Sequence, residues 1–163
     1  MRKEVTKKMI EYFQMDVKRI NHSLKVFVFA QIISDDQSLD KKTKEIICYA
    51  SILHDIGIKQ AEKKYNSSKG KYQELEGPFI AREMLSDLKI SDEIIDRVCY
   101  IIGNHHSYTK VDSIDFQIIF EADFLVNIFE DEMSKEAIEN IKENIFKTET
   151  GKKFIRTMYL DDK

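Results

Sequence analysis

Proline is almost missing from this chain: Pro78 stands alone among 163 residues, with only five glycines beside it. Sheets of an all-β sandwich turn on these residues, so their scarcity argues against such a fold. Tryptophan is absent, and the two cysteines, Cys48 and Cys99, each sit inside an apolar helical pattern. Isolated cysteines of that kind read as reduced core residues of a cytoplasmic protein, not as a disulfide framework. The longest apolar run, Val26 to Ile33, is interrupted by Gln31 and falls far short of a membrane span. Met1-Arg2-Lys3-Glu4 leads into a mixed-charge helix without the apolar core of a signal peptide. A formal net charge of -3 gives no support to nucleic-acid binding.

What the chain has is helical periodicity. Hydrophobic residues make up 42% of it, enough for one compact all-α domain over residues 1–163. The first helix is expected over 2–18, with Val5, Met9 and Phe13 on its apolar side. Asn21 is the candidate cap of a second and Asp40 of a third that runs to His54. Between Ile58 and Tyr72 the period fades and lysines accumulate, which predicts a partly helical, mobile loop. Pro78 fits the first turn of a fourth helix. Ser91 caps a fifth that ends near Gly103, residues 114–130 make a sixth, and Ser134 opens a seventh. A short helix over 150–160 closes the C-terminal extension, 134–163.

The stretch Ser51-Ile52-Leu53-His54-Asp55-Ile56-Gly57 carries the chemistry. Ile46, Ile47, Ala50, Leu53 and His54 recur at helical spacing, so His54 borders a core-facing stripe. Asp55 lies about 100° further round an ideal helix. The two side chains can therefore meet one point only beyond the helix end, where Gly57 is the expected stop in a left-handed conformation. A carboxylate there is costly to bury unless a cation compensates it. His22, His105 and His106 complete the four histidines. Asp123 sits among the buried positions Ile119, Ala122 and Val126 and needs a partner, either a metal or an arginine such as Arg97.

The order His22, His54-Asp55, Asp123 resembles the H…HD…D signature of the HD-domain metal-dependent phosphohydrolase superfamily. Arg19-Ile20-Asn21-His22-Ser23, Leu53-His54-Asp55-Ile56-Gly57, Glu76-Gly77-Pro78, Asn104-His105-His106 and Glu121-Ala122-Asp123 extend the likeness across roughly residues 19–126. The resemblance implies a helical bundle of about six to eight helices in which His22, His54, Asp55 and Asp123 bind a divalent ion. Imidazole and carboxylate donors suit Mn, Fe, Ni, Co, Zn or Mg. Such an ion polarises a phosphoryl oxygen and lowers the pKa of water, so that metal-bound hydroxide attacks phosphorus, with His54 and Asp55 at the catalytic centre.

Two-metal relatives add a histidine near the fourth helix and one or both histidines after the fifth. Here Glu76, His105 and His106 are the corresponding candidates, with Asp55 as the bridging ligand. Lys59, Lys71 and Arg82 are candidates to hold substrate phosphates, and Tyr65, Tyr72 and Tyr108 to stack on a base. Ile58, directly after the Gly57 motif, departs from the lysine of the cyclic-dinucleotide phosphodiesterases. The expected substrate is a small phosphate ester or anhydride, with a nucleotide foremost. Two other readings share the ligand set: a mixed-valent di-iron oxygenase and a non-catalytic nucleotide sensor.

Overall fold

A computed structural model describes residues 1–161; Asp162 and Lys163, the end of the expected C-terminal extension, lie outside the described residues. Among the described residues nine α-helices follow one another: α1 Arg2–Phe13, α2 Val17–Asp35, α3 Lys41–Leu53, α4 Ile58–Tyr65, α5 Gly70–Asp87, α6 Asp92–Ile102, α7 Ile114–Glu130, α8 Lys135–Asn144 and α9 Glu149–Ile155. A 3-10 turn at Tyr108–Lys110 precedes α7, and a π turn at Arg156–Leu160 follows α9. No strand occurs among the described residues, and the fold is all-α. No helix among them is long and apolar enough to cross a membrane.

At the centre, α2 packs on α3 and α7, while α3 also meets α6 and α6 meets α5. The apolar period explains which faces are inward. Ile46, Ile47, Ala50 and Leu53 of α3, Ile95, Val98 and Ile102 of α6, and Ile118, Ile119, Ala122 and Leu125 of α7 are buried together. Burying apolar surface contributes roughly 25 cal/mol per Å², so this shared core fixes α3 and α6, whose C-terminal ends lead into His54 and His105, and α7, which carries Asp123. Asp40 caps α3 by accepting from the Thr43 amide at 2.8 Å, and Ser134 caps α8 through the Ala137 amide.

Five expectations need correction. Helix α1 stops at Phe13, and α2 is capped by Asp16, which accepts from the Arg19 amide, rather than by Asn21. The lysine-rich segment is mostly ordered as α4, whose only buried residues are Ile58 and Ala61. At eight residues, half of them charged, the helix spans little more than two turns in which an apolar stripe can be read. Pro78 lies inside α5, which begins at Gly70. Gly57 is not left-handed (φ -72°), and no described glycine has positive φ. It is required for space: a Cβ there would overlap the Gln73 carbonyl oxygen and come within 2.7 Å of the Gly77 nitrogen. The turn after His54 thus rests directly on the α5 backbone.

The C-terminal helices are tied down by Glu121 of α7, which is fully buried. Its carboxylate accepts from the Lys147 and Thr148 amides, the Thr148 hydroxyl and Gln117 Nε2. Four donors satisfy the hydrogen-bonding capacity of this buried carboxylate.

Candidate metal centre

His22 projects from α2, His54 caps α3, Asp55 follows it in the turn, and Asp123 comes from α7. Four side chains from three helices converge. His22 Nε2 lies 3.1 Å from His54 Nε2 and 3.1 Å from Asp123 Oδ1. Asp55 Oδ2 is 3.5 Å from His22 Nε2 and 3.6 Å from His54 Nε2. Its other oxygen, Oδ1, faces His105 Nε2 at 3.3 Å. Asp55 thereby joins two groups, His22–His54–Asp123 and Asp55–His105–His106, each with ligand atoms within 4.8 Å of one another.

The outer nitrogens are fixed by partners on the far side. Nδ1–H of His54 donates to the Ser51 carbonyl at 2.9 Å, and that of His105 to the Ile102 carbonyl at 2.7 Å. In their neutral forms both rings then present an Nε2 lone pair inward. His22 Nδ1 donates to Glu130 Oε2 at 2.9 Å, and Lys25 holds the other Glu130 oxygen at 2.5 Å. A carboxylate behind an imidazole is the arrangement that orients metal-ligating histidines and raises their basicity.

Electrostatics points the same way. Burial opposes protonation of His22, but the hydrogen bond and charge of Asp123, with Asp55 and Glu130, outweigh it and lift its pKa to about 9. Burial likewise works against His54, and the charge of Asp55 with the Asp123 contact raises it nonetheless. Against burial, which favours their neutral forms, the histidines hold both aspartates well below the usual carboxylate range: His54 and His105 act on Asp55, and His22 and His54 on Asp123. For His106, desolvation and the neighbouring His105 charge push the pKa down to about 4. Two anions and two imidazoles that face one point favour positive charge between them. Neutral nitrogen and carboxylate oxygen donors of this kind fit a divalent transition metal.

Other candidates go elsewhere. Glu76 is held by Lys64 Nζ at 2.8 Å and the Tyr65 hydroxyl at 2.7 Å, and does not join either group. Lys59 donates to the Tyr12 carbonyl at 2.7 Å, Arg82 pairs with Asp96 at 2.5 Å, and Lys71 sits 4.6 Å over the Tyr72 ring. Tyr65 and Tyr72 stack on each other, with centroids 4.3 Å apart, and the Tyr108 hydroxyl donates to the Ile145 carbonyl. Arg97 is taken by Asp112 and Asp115, which leaves Asp123 to the histidines. A surface groove of about 860 Å³ beside α2 and α7, walled by Val28, Leu125 and Phe129, contains none of the ligand residues.

Sequence reasoning missed Glu130, Lys25 and Gln73. Glu130 had a signal: it lies seven residues after Asp123, on the same helix face. It also ends α7, where the helix dipole disfavours an anion and calls for a cationic partner.

A model of the HD domain matches residues 19–148, a span that contains every residue of both groups. A crystal structure of a predicted HD superfamily hydrolase from an uncultured Thermotogales bacterium shares the fold. Its TM-score is 0.69 at 22% identity, over 96% of this chain and 84% of that one. No curated protein matches. With the family model covering most of its length, the chain belongs to the HD-domain family.

Proposed function

We propose that the chain is a metal-dependent phosphohydrolase acting on a small phosphate ester or anhydride, with nucleotides as the leading substrate class. Family membership supports a metal-dependent hydrolase in general. The observation that carries the finer reading is the shared Asp55, with one oxygen toward His22 and His54 and the other toward His105. An ion held by His22, His54, Asp55 and Asp123 supplies Lewis acidity toward a phosphoryl oxygen and a lowered pKa for water. The chain's own part is to hold that set rigid. Ser51 and Ile102 carbonyls fix two imidazoles, and Glu130 fixes the third.

No serine or cysteine nucleophile is needed: both cysteines are buried in the core, and their thiol pKa values are raised by burial. Lys71 is the favoured phosphate contact, because it is exposed and adjoins Gly70, which packs on His106. Lys59 and Arg82 are already engaged. The test is a screen of nucleoside mono-, di- and triphosphates and dinucleoside polyphosphates with each divalent ion in turn. Hydrolysis that disappears in Asp55→Ala is expected, and activity retained by metal-loaded Asp55→Ala would refute the reading.

The bridging position of Asp55 also favours a second reading, a mixed-valent di-iron oxygenase. Aerobic purification followed by iron assay and electron paramagnetic resonance separates the two. An iron-free, diamagnetic protein that cleaves phosphate esters decides for the hydrolase.

A further inference from the structure

His106 is held differently from the other histidines. Its ring lies against Gly70, where a Cβ would come within 2.6 Å of Cδ2, 2.8 Å of Cγ and 3.2 Å of Nε2. Its backbone amide donates to Glu74 Oε1 at 3.0 Å. Its Nε2 lies 3.3 Å from Gln73 Oε1. The first turn of α5 is therefore a cradle for this one residue, with Gly70 as space, Glu74 as anchor and Gln73 as partner.

Gln73 is buried, and its amide has only one workable orientation. Its other terminus lies 2.6 Å from the Ser68 carbonyl, which can only accept, so the NH₂ group must point there. The oxygen then faces His106, and an oxygen needs a donor. Nε2 of a neutral His106 must carry the proton, which leaves the lone pair on Nδ1. For His54 and His105 the order is reversed, because backbone carbonyls take the proton at Nδ1.

We infer that Gln73 is a positioning residue that fixes His106 as the Nε2–H tautomer, so that Nδ1 serves the Asp55–His105–His106 group. The inference rests on the reading of that group as a second ion site. It assigns the α5 turn a role in metal binding although the turn supplies no ligand. Gly57, whose close approach to the Gln73 carbonyl leaves no room for a side chain, ties the same turn to the residue after Asp55 and Ile56. The register of Gln73 against both halves of the centre is thus set by backbone contact.

Long-range ¹H–¹⁵N correlation spectra of the metal-free chain, with histidines assigned by single His→Gln variants, read the tautomers directly. His106 is expected as Nε2–H, opposite to His105. In Gln73→Leu the His106 signals should move toward a tautomer mixture. Titration of the same proteins with Mn²⁺, followed calorimetrically, should show the second equivalent weakened about 10–100-fold in Gln73→Leu, with the first unchanged. An Nδ1–H His106 in the natural chain, or a Gln73→Leu protein with unaltered tautomer and second-ion affinity, overturns the inference. A natural chain that takes up one equivalent only removes the second-ion role. Neither readout requires turnover, so an inactive chain with these tautomers would count against the proposed hydrolysis and not against Gln73.

Discussion

The two halves of the centre are built from the same donor types but on different supports. His22 and His54 are buried, and a carboxylate backs His22. His106 is exposed, and a neutral amide backs it. An imidazole with an anion behind it is a stronger base and a more firmly oriented ligand than one held by a neutral amide. The difference predicts stepwise loading, with a tight first ion at His22–His54–Asp55–Asp123 and a weaker second one at Asp55–His105–His106. Asp55 faces both groups, so coupling between the two ions is expected there.

The largest expected effect is at that shared residue. Asp55→Ala should lose both ions and all hydrolysis while circular dichroism stays helical, since Asp55 adds no apolar packing to the core. His106→Ala separates the halves: metal analysis should find the first ion retained and the second absent. Glu130→Gln should act on the other side, weakening the first ion about 10–100-fold in a calorimetric titration. Gly57→Ala tests the support beneath both. Backbone atoms of Gln73 and Gly77 occupy the space a methyl would need, so overpacking should cost about 1–3 kcal/mol in denaturant unfolding. The smallest effect is expected for Glu76→Gln, which should leave ion stoichiometry unchanged because Lys64 and Tyr65 hold that carboxylate.

Acidity distinguishes the halves as well. In the metal-free chain the folded pKa of His22 is about 9, above the ordinary 6.5. Its contribution to stability is complete below 6.5 and is lost as pH rises through about 9. Asp55 and Asp123 are shifted the other way, so their contribution is present at neutral pH and lost in acid. A metal must displace the His22 proton, so uptake of the first ion should strengthen toward pH 9 with proton release. Calorimetry in buffers of different ionisation enthalpy measures that release.

Much of this architecture was legible in the residues. The bounds of α7 follow from its apolar period, and Asp40 and Ser134 announce the helices they cap. His22, His54 and Asp123 stand out because polar groups at core-facing positions need a reason. What could not be read was set by contacts between distant segments. Gly57 carries no mark in the sequence that distinguishes a left-handed stop from a close approach to α5. Helix α4 is only eight residues long and half charged, so its apolar stripe is too short to stand out, and Pro78 within α5 looks like a helix start when α5 is read alone. Gln73 is one of many polar residues on a helix until the Ser68 carbonyl fixes its amide and His106 meets it.

The central claim is that imidazoles and carboxylates from α2, the α3 turn and α7 share one cation. An anomalous difference map from crystals grown with Mn²⁺ tests it most directly. A strong peak bounded by His22 Nε2, His54 Nε2, Asp55 Oδ2 and Asp123 Oδ1 is expected. A loaded, active protein whose ion lies elsewhere, with this cluster held together by protons alone, would contradict it.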